Sequence, residues 1–132
     1  MATTWNVISQ FSNTNPPRHT IKRSKDSDSK YKKLKLELVE RNISIGNYIK
    51  EKLFSDNSEY ALVKNDFPYM LDKNVLHYVF WINPKFNEKY NDNTVEKILK
   101  NSIDFEFIYF KNIIANKSVL DVEHYQVFIH AI

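Results

Sequence analysis

The stretch from Val75 to Ile82 constrains the fold more than any other part of the chain, because both of its faces are apolar. Successive side chains of a β-strand point to opposite faces, so residues 75, 77, 79 and 81 share one face and residues 76, 78, 80 and 82 share the other. The first set reads Val, His, Val and Trp, and the second reads Leu, Tyr, Phe and Ile. A strand that is apolar on both faces is typical of the middle of a sheet. We therefore expect a central strand that is covered on both sides.

Three helices are expected from apolar residues at helical spacing and from polar residues able to cap a helix start. They are a helix running to about Glu40 and capped by Ser27 or Ser29, a helix from about Ser44 to Phe54, and a helix capped by Asn93 or Thr94. Shorter β-branched and aromatic runs predict further strands over 60–64, 105–110 and 122–132. The predicted fold is of the α+β class, with N-terminal helices packed on a mostly antiparallel sheet of about four strands and one further helix between strands. Parallel pairing around the third helix is the alternative arrangement.

The domain organisation follows from length and composition. At 132 residues, of which 42% are hydrophobic, the chain is long enough to bury a core, so we expect a single domain over residues 1–132. Residues 1–20 are polar and contain two adjacent prolines. We expect them to form an irregular N-terminal arm, held to the domain by Trp5 and Phe11.

Cysteine and glycine usage excludes several functions. The chain has no cysteine, which rules out disulfides, thiolate zinc sites and a cysteine nucleophile. Its single glycine rules out a glycine-rich phosphate-binding loop. A zinc site of His77, His124 and Asp66 would have no diagnostic spacing, so we expect no metal site, and the cofactor stays unknown.

The chain shows no sign of membrane insertion or export. No apolar run approaches the roughly 20 residues needed to span a bilayer. Residues 1–6 lack the charged-then-apolar order of a secretory signal. We expect a cytoplasmic protein without membrane contacts, and the pattern does not indicate its oligomeric state.

Two histidines, His77 and His124, each stand inside an aromatic and β-branched run that predicts a strand. If the two strands are close neighbours facing the same way, both rings converge near the loops that carry Asn65, Asp66 and Ser118. An imidazole in a partly buried aromatic pocket can act as an acid, a base or a phosphate ligand. The alternative for each histidine is a packing or hydrogen-bonding role without chemistry.

The segment from Asn65 to Tyr69 is a distinctive turn. Pro68 pushes Phe67 towards an extended conformation, which holds Asp66 and Tyr69 at fixed angles to the turn. The functional interpretation places Asp66 beside an imidazole, which it would orient. The simpler alternative is a rigid connection between two strands.

Residues 18–35 form a basic segment with eight basic and two acidic side chains, for a local net charge of +6. Such a segment can contact phosphates, and Tyr31 within it can stack on a base. The alternative is the solvated face of a helix whose apolar stripe is Tyr31, Leu34 and Leu38.

A series of motifs runs along nearly the whole chain in a recognisable order. The motifs are Thr4-Trp5, Ile21-Lys22-Arg23-Ser24, Asn47-Tyr48-Ile49, Asn65-Asp66-Phe67-Pro68-Tyr69, His77, Trp81, Asn112, Ser118-Val119 and His124. This order resembles that of the DUF3605 family, also called the N-acetylglucosamine-induced protein family. The resemblance implies no particular reaction, because that family is a domain of unknown function. Its members are typically fungal or protist proteins with relatives in large DNA viruses, and the composition suits a viral protein of the host cytoplasm or virion.

Three positions depart from the family pattern. Phe67 stands where the family usually has Trp, which keeps an aromatic plug, and Ile113 stands where Pro tends to follow Asn112. Gln126 stands where a second histidine tends to follow two residues after His124. Because glutamine cannot exchange a proton near neutral pH, this change weighs against a His-x-His metal or proton-relay site.

We favour a site for a small polar or anionic ligand, such as a phosphorylated sugar or nucleotide, and leave open whether the protein is an enzyme. In this hypothesis His77 and His124 provide acid, base or anion contacts, and Asp66 orients them. The expected binding residues are Arg23, Asn65, Tyr69, Trp81, Lys111, Asn112, Ser118 and Gln126. One alternative is a non-enzymatic structural or interaction module, and the other is a nucleic-acid binder that uses residues 18–35, which steep salt dependence would reveal.

Overall fold

An antiparallel sheet organises the part of the chain that the computed structural model describes, residues 3–11, 23–66, 69–111 and 122–131. Its strands are β1 (Tyr60–Lys64), β2 (Val75–Ile82), β3 (Glu106–Phe110) and β4 (His124–His130). They lie in the order β1-β2-β4-β3, and each neighbouring pair is antiparallel. The predicted α+β class and four-stranded sheet are confirmed. The alternative of parallel pairing around the third helix is wrong, because none of the strand pairs in the described ranges is parallel.

Three of the helices lie where helical periodicity predicts them, and a fourth, short helix lies in the segment that was expected to be irregular. They are α1 (Trp5–Ile8), α2 (Lys25–Glu40), α3 (Ile45–Phe54) and α4 (Asp92–Ser102), with short 3-10 helices at Ser9–Phe11 and Pro84–Lys89. The helix that was expected between strands is α4, which follows β2 and precedes β3. Helices α2 and α3 precede the sheet in the chain, as predicted.

The start of α2 lies earlier than the sequence pattern predicts. The side chain of Ser24, rather than Ser27 or Ser29, caps the helix and accepts a hydrogen bond from the backbone N–H of Ser27 at 3.1 Å. The earlier start places Asp26 and Asp28 in the first turn. Carboxylates there are favoured because a helix N-terminus carries partial positive charge.

The same correction applies to α4. Asn91, rather than Asn93 or Thr94, caps this helix by accepting a hydrogen bond from the backbone N–H of Thr94 at 2.9 Å. This start brings Asp92 into the first turn. The start predicted for α3, at about Ser44, is confirmed, because Ser44 caps this helix by accepting a hydrogen bond from the backbone N–H of Asn47.

The central position predicted for β2 is confirmed. It pairs with β1 on one side and β4 on the other. Side chains on both of its faces are buried, Val75 and Val79 on one face and Phe80 and Ile82 on the other. The sheet therefore supports two separate layers of packing.

One face of the sheet packs against α4, and we call it the α4 face. Phe80 of β2 and Val127 of β4 form a buried cluster there with Val95 and Leu99 of α4. Tyr125 belongs to this cluster, and its hydroxyl donates a hydrogen bond to the Asp92 carboxylate at the start of α4. This face is thus a closed core.

The opposite face, which we call the cavity face, carries His77, Val79 and Trp81 of β2 and the alternate residues of β4. The strand register pairs His77 with Phe128, Val79 with Gln126 and Trp81 with His124. One end of this face is closed by Ile8 of α1, which packs with Val75 and Phe128. The other end is closed where Leu53 and Trp81 pack against buried Phe54 and Val122. The middle of the face lies between these two clusters.

The segment expected to be an irregular arm is described over residues 3–11, and it begins with the helical turn α1. Thr3 pairs with Leu71 in an isolated parallel bridge. Trp5 and Phe11 pack against the cluster that contains Ile8, as expected for residues holding this segment to the domain. Residues 12–20 of the arm lie outside the described part.

Candidate functional site

A cavity of about 160 Å³ lies between α2, α3 and the middle of the cavity face. This volume far exceeds the roughly 10–15 Å³ that one water molecule requires, so it can hold a small ligand. Its lining comes from both helices, from the end of β1 and from the sheet. The lining residues are Arg23, Tyr31, Leu34, Ile45, Tyr48, Ile49, Lys52, Leu53, Val63, Lys64, Asn65, Asp66, Val79, Trp81, His124 and Gln126.

The sheet provides the floor of the cavity. His124 and Gln126 lie on the same face of β4 and are buried, with 4% and 7% of their surface exposed. The His124 ring lies 4.5 Å from the Trp81 ring, between centroids, in a tilted arrangement. The floor thus presents an imidazole, a primary amide and an indole within two adjacent strands.

The His124 ring is oriented by its own backbone neighbourhood. Its Nδ1 lies 2.9 Å from the carbonyl oxygen of Val122, which can only accept a hydrogen bond. A neutral His124 ring is therefore protonated on Nδ1, and Nε2 is then the atom with acceptor character.

His77 lies beside the cavity and is not among its lining residues. Its ring stacks on those of Tyr69, at 4.7 Å, and Phe128, at 4.5 Å, measured between centroids. Its Nε2 lies 2.5 Å from Oε1 of Gln126, and the backbone N–H of Tyr69 donates to its Nδ1 at 3.4 Å. The side-chain amide of Asn65 lies 3.5 Å from Nδ1 and 3.4 Å from Nε2. His77 is therefore one hydrogen bond behind the cavity floor.

His77 is held in its neutral form. Burial of the ring lowers its pKa from 6.5 to about 4, because the charged imidazolium loses its hydration. The nearby Arg23 guanidinium lowers the pKa further, and only the hydrogen bond with Gln126 favours the charged form. At neutral pH the ring is a fixed hydrogen-bonding group rather than a proton carrier.

The rim of the cavity carries a salt bridge between Lys52 and Asp66. The Lys52 ammonium lies 2.6 Å from the Asp66 carboxylate, and the two side chains are 44% and 61% exposed. The hydrogen bond that Lys52 donates to Asp66 raises the pKa of Lys52 above its ordinary value. Asp66 therefore contacts a lysine of α3, and within the described residues neither histidine ring has it as a hydrogen-bond partner.

Arg23 lies at the same cavity, just before α2 begins. Its guanidinium carbon is 4.4 Å from the centre of the Tyr31 ring and 5.9 Å from that of Tyr69. Its backbone forms an isolated antiparallel bridge with Tyr69. The guanidinium is thus positioned by two aromatic rings and by the segment that precedes β2.

The structure brings together six of the residues that the sequence predicts for the site. Arg23, Asn65, Asp66, Trp81, His124 and Gln126 line the cavity. His77 and Tyr69 lie next to it, in contact with each other. Lys111 lies elsewhere: it pairs with Glu123 at 2.9 Å and lies over the ring of Tyr125, whose side chain is on the α4 face. Asn112 and Ser118 lie outside the described residues, as do Phe67, Pro68 and Asp121.

Sequence reasoning missed the contribution of α3. Tyr48 and Ile49 belong to a stripe that reads as core packing, and they line the cavity instead. Lys52 follows Tyr48 by four residues, so it lies on the same side of the helix, and its ammonium is 5.7 Å from the Tyr48 ring centre. A lysine placed on the apolar side of a helix was the available signal.

The basic segment behaves as a charged helix surface where it is described. Lys30 pairs with Asp26 at 3.1 Å and Lys32 with Asp28 at 2.9 Å, each four residues apart on α2. These exposed pairs engage Lys30 and Lys32 with carboxylates of the same helix. The nucleic-acid alternative is therefore not favoured.

The described ranges contain neither a metal-binding cluster of acidic and histidine side chains nor a membrane-spanning helix. No group of three or more histidine, cysteine, aspartate or glutamate side chains there is arranged to hold a metal ion. Within the same ranges, no helix has the length and apolar character needed to cross a membrane.

The fold and the cavity define an α+β domain in which N-terminal helices enclose a polar and aromatic cavity against an antiparallel sheet. The chain belongs to the DUF3605 family, described as a protein of unknown function, whose sequence pattern matches residues 4–130. The family resemblance is thus confirmed, whereas viral origin stays a prediction. No curated protein sequence matches the chain significantly.

A solved structure titled "Crystal Structure of HTC1" is similar in fold, with a TM-score of 0.63 and 18% sequence identity. The alignment covers 96% of this chain and 84% of that one. At this level of identity the similarity supports the fold alone.

Proposed function

We propose that the domain binds a small anionic molecule, of the phosphorylated sugar or nucleotide class, in the cavity between α2, α3 and the sheet. The observation that carries this proposal is the charge of the lining. Three cationic residues, Arg23, Lys52 and Lys64, contribute to it against one carboxylate, Asp66. A concave surface with aromatic walls and a few polar groups is a typical small-ligand site, and the excess of cations favours an anion.

The cations and the rings suggest separate roles in binding. Arg23 and Lys52 come from different elements of the lining, one just before α2 and one on α3. Guanidinium and ammonium groups make strong charge-assisted hydrogen bonds to phosphate or carboxylate oxygens. Tyr31 and Trp81 offer flat apolar surfaces for a sugar or base.

Of the two histidines, His124 is the candidate for contact with the ligand, because it lines the cavity floor. His77 supports the floor from behind through Gln126. If the ligand is a substrate, His124 is the acid–base group in reach of it. Asp66 pairs with Lys52 and favours its charged form, rather than orienting an imidazole.

Trp81 provides a reporter for this site. The chain has two tryptophans, and Trp5 lies away from the cavity, where it stacks on His130 and donates to Glu106. In a Trp5→Phe variant, fluorescence reports on Trp81 alone. We expect inorganic phosphate, glucose 6-phosphate or AMP to change it saturably, while uncharged glucose does not.

The control for charge is a matched pair of lysines. Lys52 and Lys89 each form a 2.6 Å ion pair with a carboxylate, but only Lys52 is among the lining residues described. In the Trp5→Phe background, Lys52→Ala should weaken anion binding roughly tenfold or more, since a hydrogen bond to a charged group is lost. Lys89→Ala should leave it unchanged. Equal effects of the two substitutions, or no saturable response to any of the anions, would exclude the proposed site and favour an interaction module.

A further inference from the structure

The hydrogen bonds behind the cavity floor run in a fixed direction. A backbone N–H can only donate, so the contact from Tyr69 makes Nδ1 of His77 the acceptor. A neutral ring that accepts at Nδ1 carries its proton on Nε2. The Nε2–H therefore donates to Gln126, and the atom of the Gln126 amide that receives it is the oxygen, at 2.5 Å.

The neutral state of the ring preserves this direction. His77 is 3% exposed, and its pKa of about 4 keeps a single proton on the ring at neutral pH. Stacking on Tyr69 and Phe128 restricts rotation of the ring plane. In the other neutral tautomer the backbone N–H of Tyr69 would face an N–H of the ring, and Nε2 would need an N–H from a reversed Gln126 amide. The opposed N–H groups make that arrangement unfavourable.

The orientation of the Gln126 amide determines whether its oxygen or its NH₂ group is available at the cavity floor. Gln126 lines the cavity, whereas His77, which engages its oxygen, does not. No hydrogen bond joins the Gln126 amide nitrogen to another group of the described residues. The NH₂ group is thus the polar part of this side chain that remains for a ligand.

We propose that Gln126 is a specificity-determining hydrogen-bond donor, oriented by His77, that binds an acceptor oxygen of the ligand at the cavity floor. This inference rests on the proposed binding function and deepens it. The oxygen is one of a phosphate, carboxylate or carbonyl group, and a ligand with an amine or other donor at this position is disfavoured. Selection by one buried polar group is effective because a mismatch leaves it unpaired away from water.

The tautomer of His77 tests the orientation without a ligand. Long-range ¹H–¹⁵N correlation spectra of the ¹⁵N-labelled protein at pH 7 should show His77 protonated on Nε2 and unprotonated on Nδ1. His77→Gln provides the assignment, since its imidazole signals disappear. A ring protonated on Nδ1 would overturn the inference, because Gln126 would then donate to the ring and turn its oxygen to the cavity.

The role of the amide is tested by two substitutions in the Trp5→Phe background, with inorganic phosphate and glucose 6-phosphate as probes. Gln126→Met keeps the length of the side chain and removes the donor, so binding should weaken roughly tenfold or more. Gln126→Glu places a carboxylate oxygen against the acceptor oxygen of the ligand and should weaken binding further. The His77 pKa should also rise in this variant, because a carboxylate now faces the imidazole.

The outcomes separate the two proposals. If the parent protein binds the anions and Gln126→Met binds them equally well, the donor role is wrong while the binding function stands. If the parent binds none of them at millimolar concentration, the binding function itself fails. Thermal unfolding of each variant shows that the comparison is made on folded protein.

Discussion

The pair formed by His77 and Gln126 shows how a titratable side chain becomes a fixed structural one. Two aromatic rings and burial remove the solvent that would stabilise an imidazolium. In acid this burial destabilises the folded state, because the unfolded chain binds a proton at His77 that the folded chain does not.

We expect the domain to lose stability as pH falls from about 6.5 towards 4. The His77 pKa is 6.5 when unfolded and about 4 when folded, so the unfolded chain binds more protons in that window. The contribution of His77 to the free energy of unfolding is nearly complete above pH 6.5. Between pH 7 and pH 5 that contribution falls by about 2 kcal/mol. Urea unfolding at a series of pH values measures it.

His77→Phe is the comparison, because it keeps an aromatic ring in the stack and removes the titration. Its stability at pH 7 should be lower, since Gln126 loses its partner, but its decline towards pH 5 should be smaller than in the parent by about 2 kcal/mol. Parallel declines in both proteins would show that His77 is not the group responsible.

Single residues were the hardest to assign from sequence. Alternation correctly groups His77 with Trp81 along one strand and His124 with Gln126 along the other. It does not show that both histidines share one face of the sheet, or that the Val79–Gln126 pair separates them. It also does not show which ring lines a cavity, because that depends on helices packed above the sheet. Gln126, which departs from the family pattern, lies at the centre of this arrangement.

At the scale of elements, periodicity was more informative. The bounds of β2 follow from its alternation, and the end of α2 at Glu40 agrees with prediction. The helix starts were misplaced because several polar residues can cap, and the choice depends on the charges that follow. Ser24 precedes two aspartates that favour the first turn of α2.

The cap of α2 can be tested directly. Ser24→Ala removes the oxygen that accepts from the Ser27 backbone N–H and should destabilise the domain by about 1 kcal/mol. Ser29→Ala changes an exposed residue inside the helix and should be neutral or slightly stabilising, since alanine has the higher helix propensity. Chemical denaturation of both variants measures the difference, and the reverse order would place the helix start at the later serine.

The whole molecule depends on the sheet as the shared support of two layers. Phe128 is fully buried, stacks on His77 and Phe110, and belongs to the cluster that anchors α1. Its environment on the cavity face could not be read from the sequence, because that requires the β2–β4 register. The α+β class and strand number follow from patterning alone.

Phe128→Ala should lower the free energy of unfolding by roughly 3–5 kcal/mol, because it leaves a cavity in a close-packed cluster. Phe105, which is 50% exposed, is the matched control, and Phe105→Ala should cost well under half as much. Urea unfolding followed by circular dichroism gives both values. A small loss for Phe128→Ala would mean that the cluster around α1 contributes little to stability.

The order of strands also bears on how the chain assembles as it is synthesised. β4 lies between β2 and β3 although it follows both in the chain, and within the described sheet β3 pairs with β4 alone. Before residues 124–130 leave the ribosome, β1 and β2 can form a hairpin, but β3 has no neighbour and the aromatic faces of β2 are open on one side. Completion of the sheet is thus a late event that joins distant segments, which is the kind of step that slows folding and exposes a nascent chain to aggregation or to chaperones.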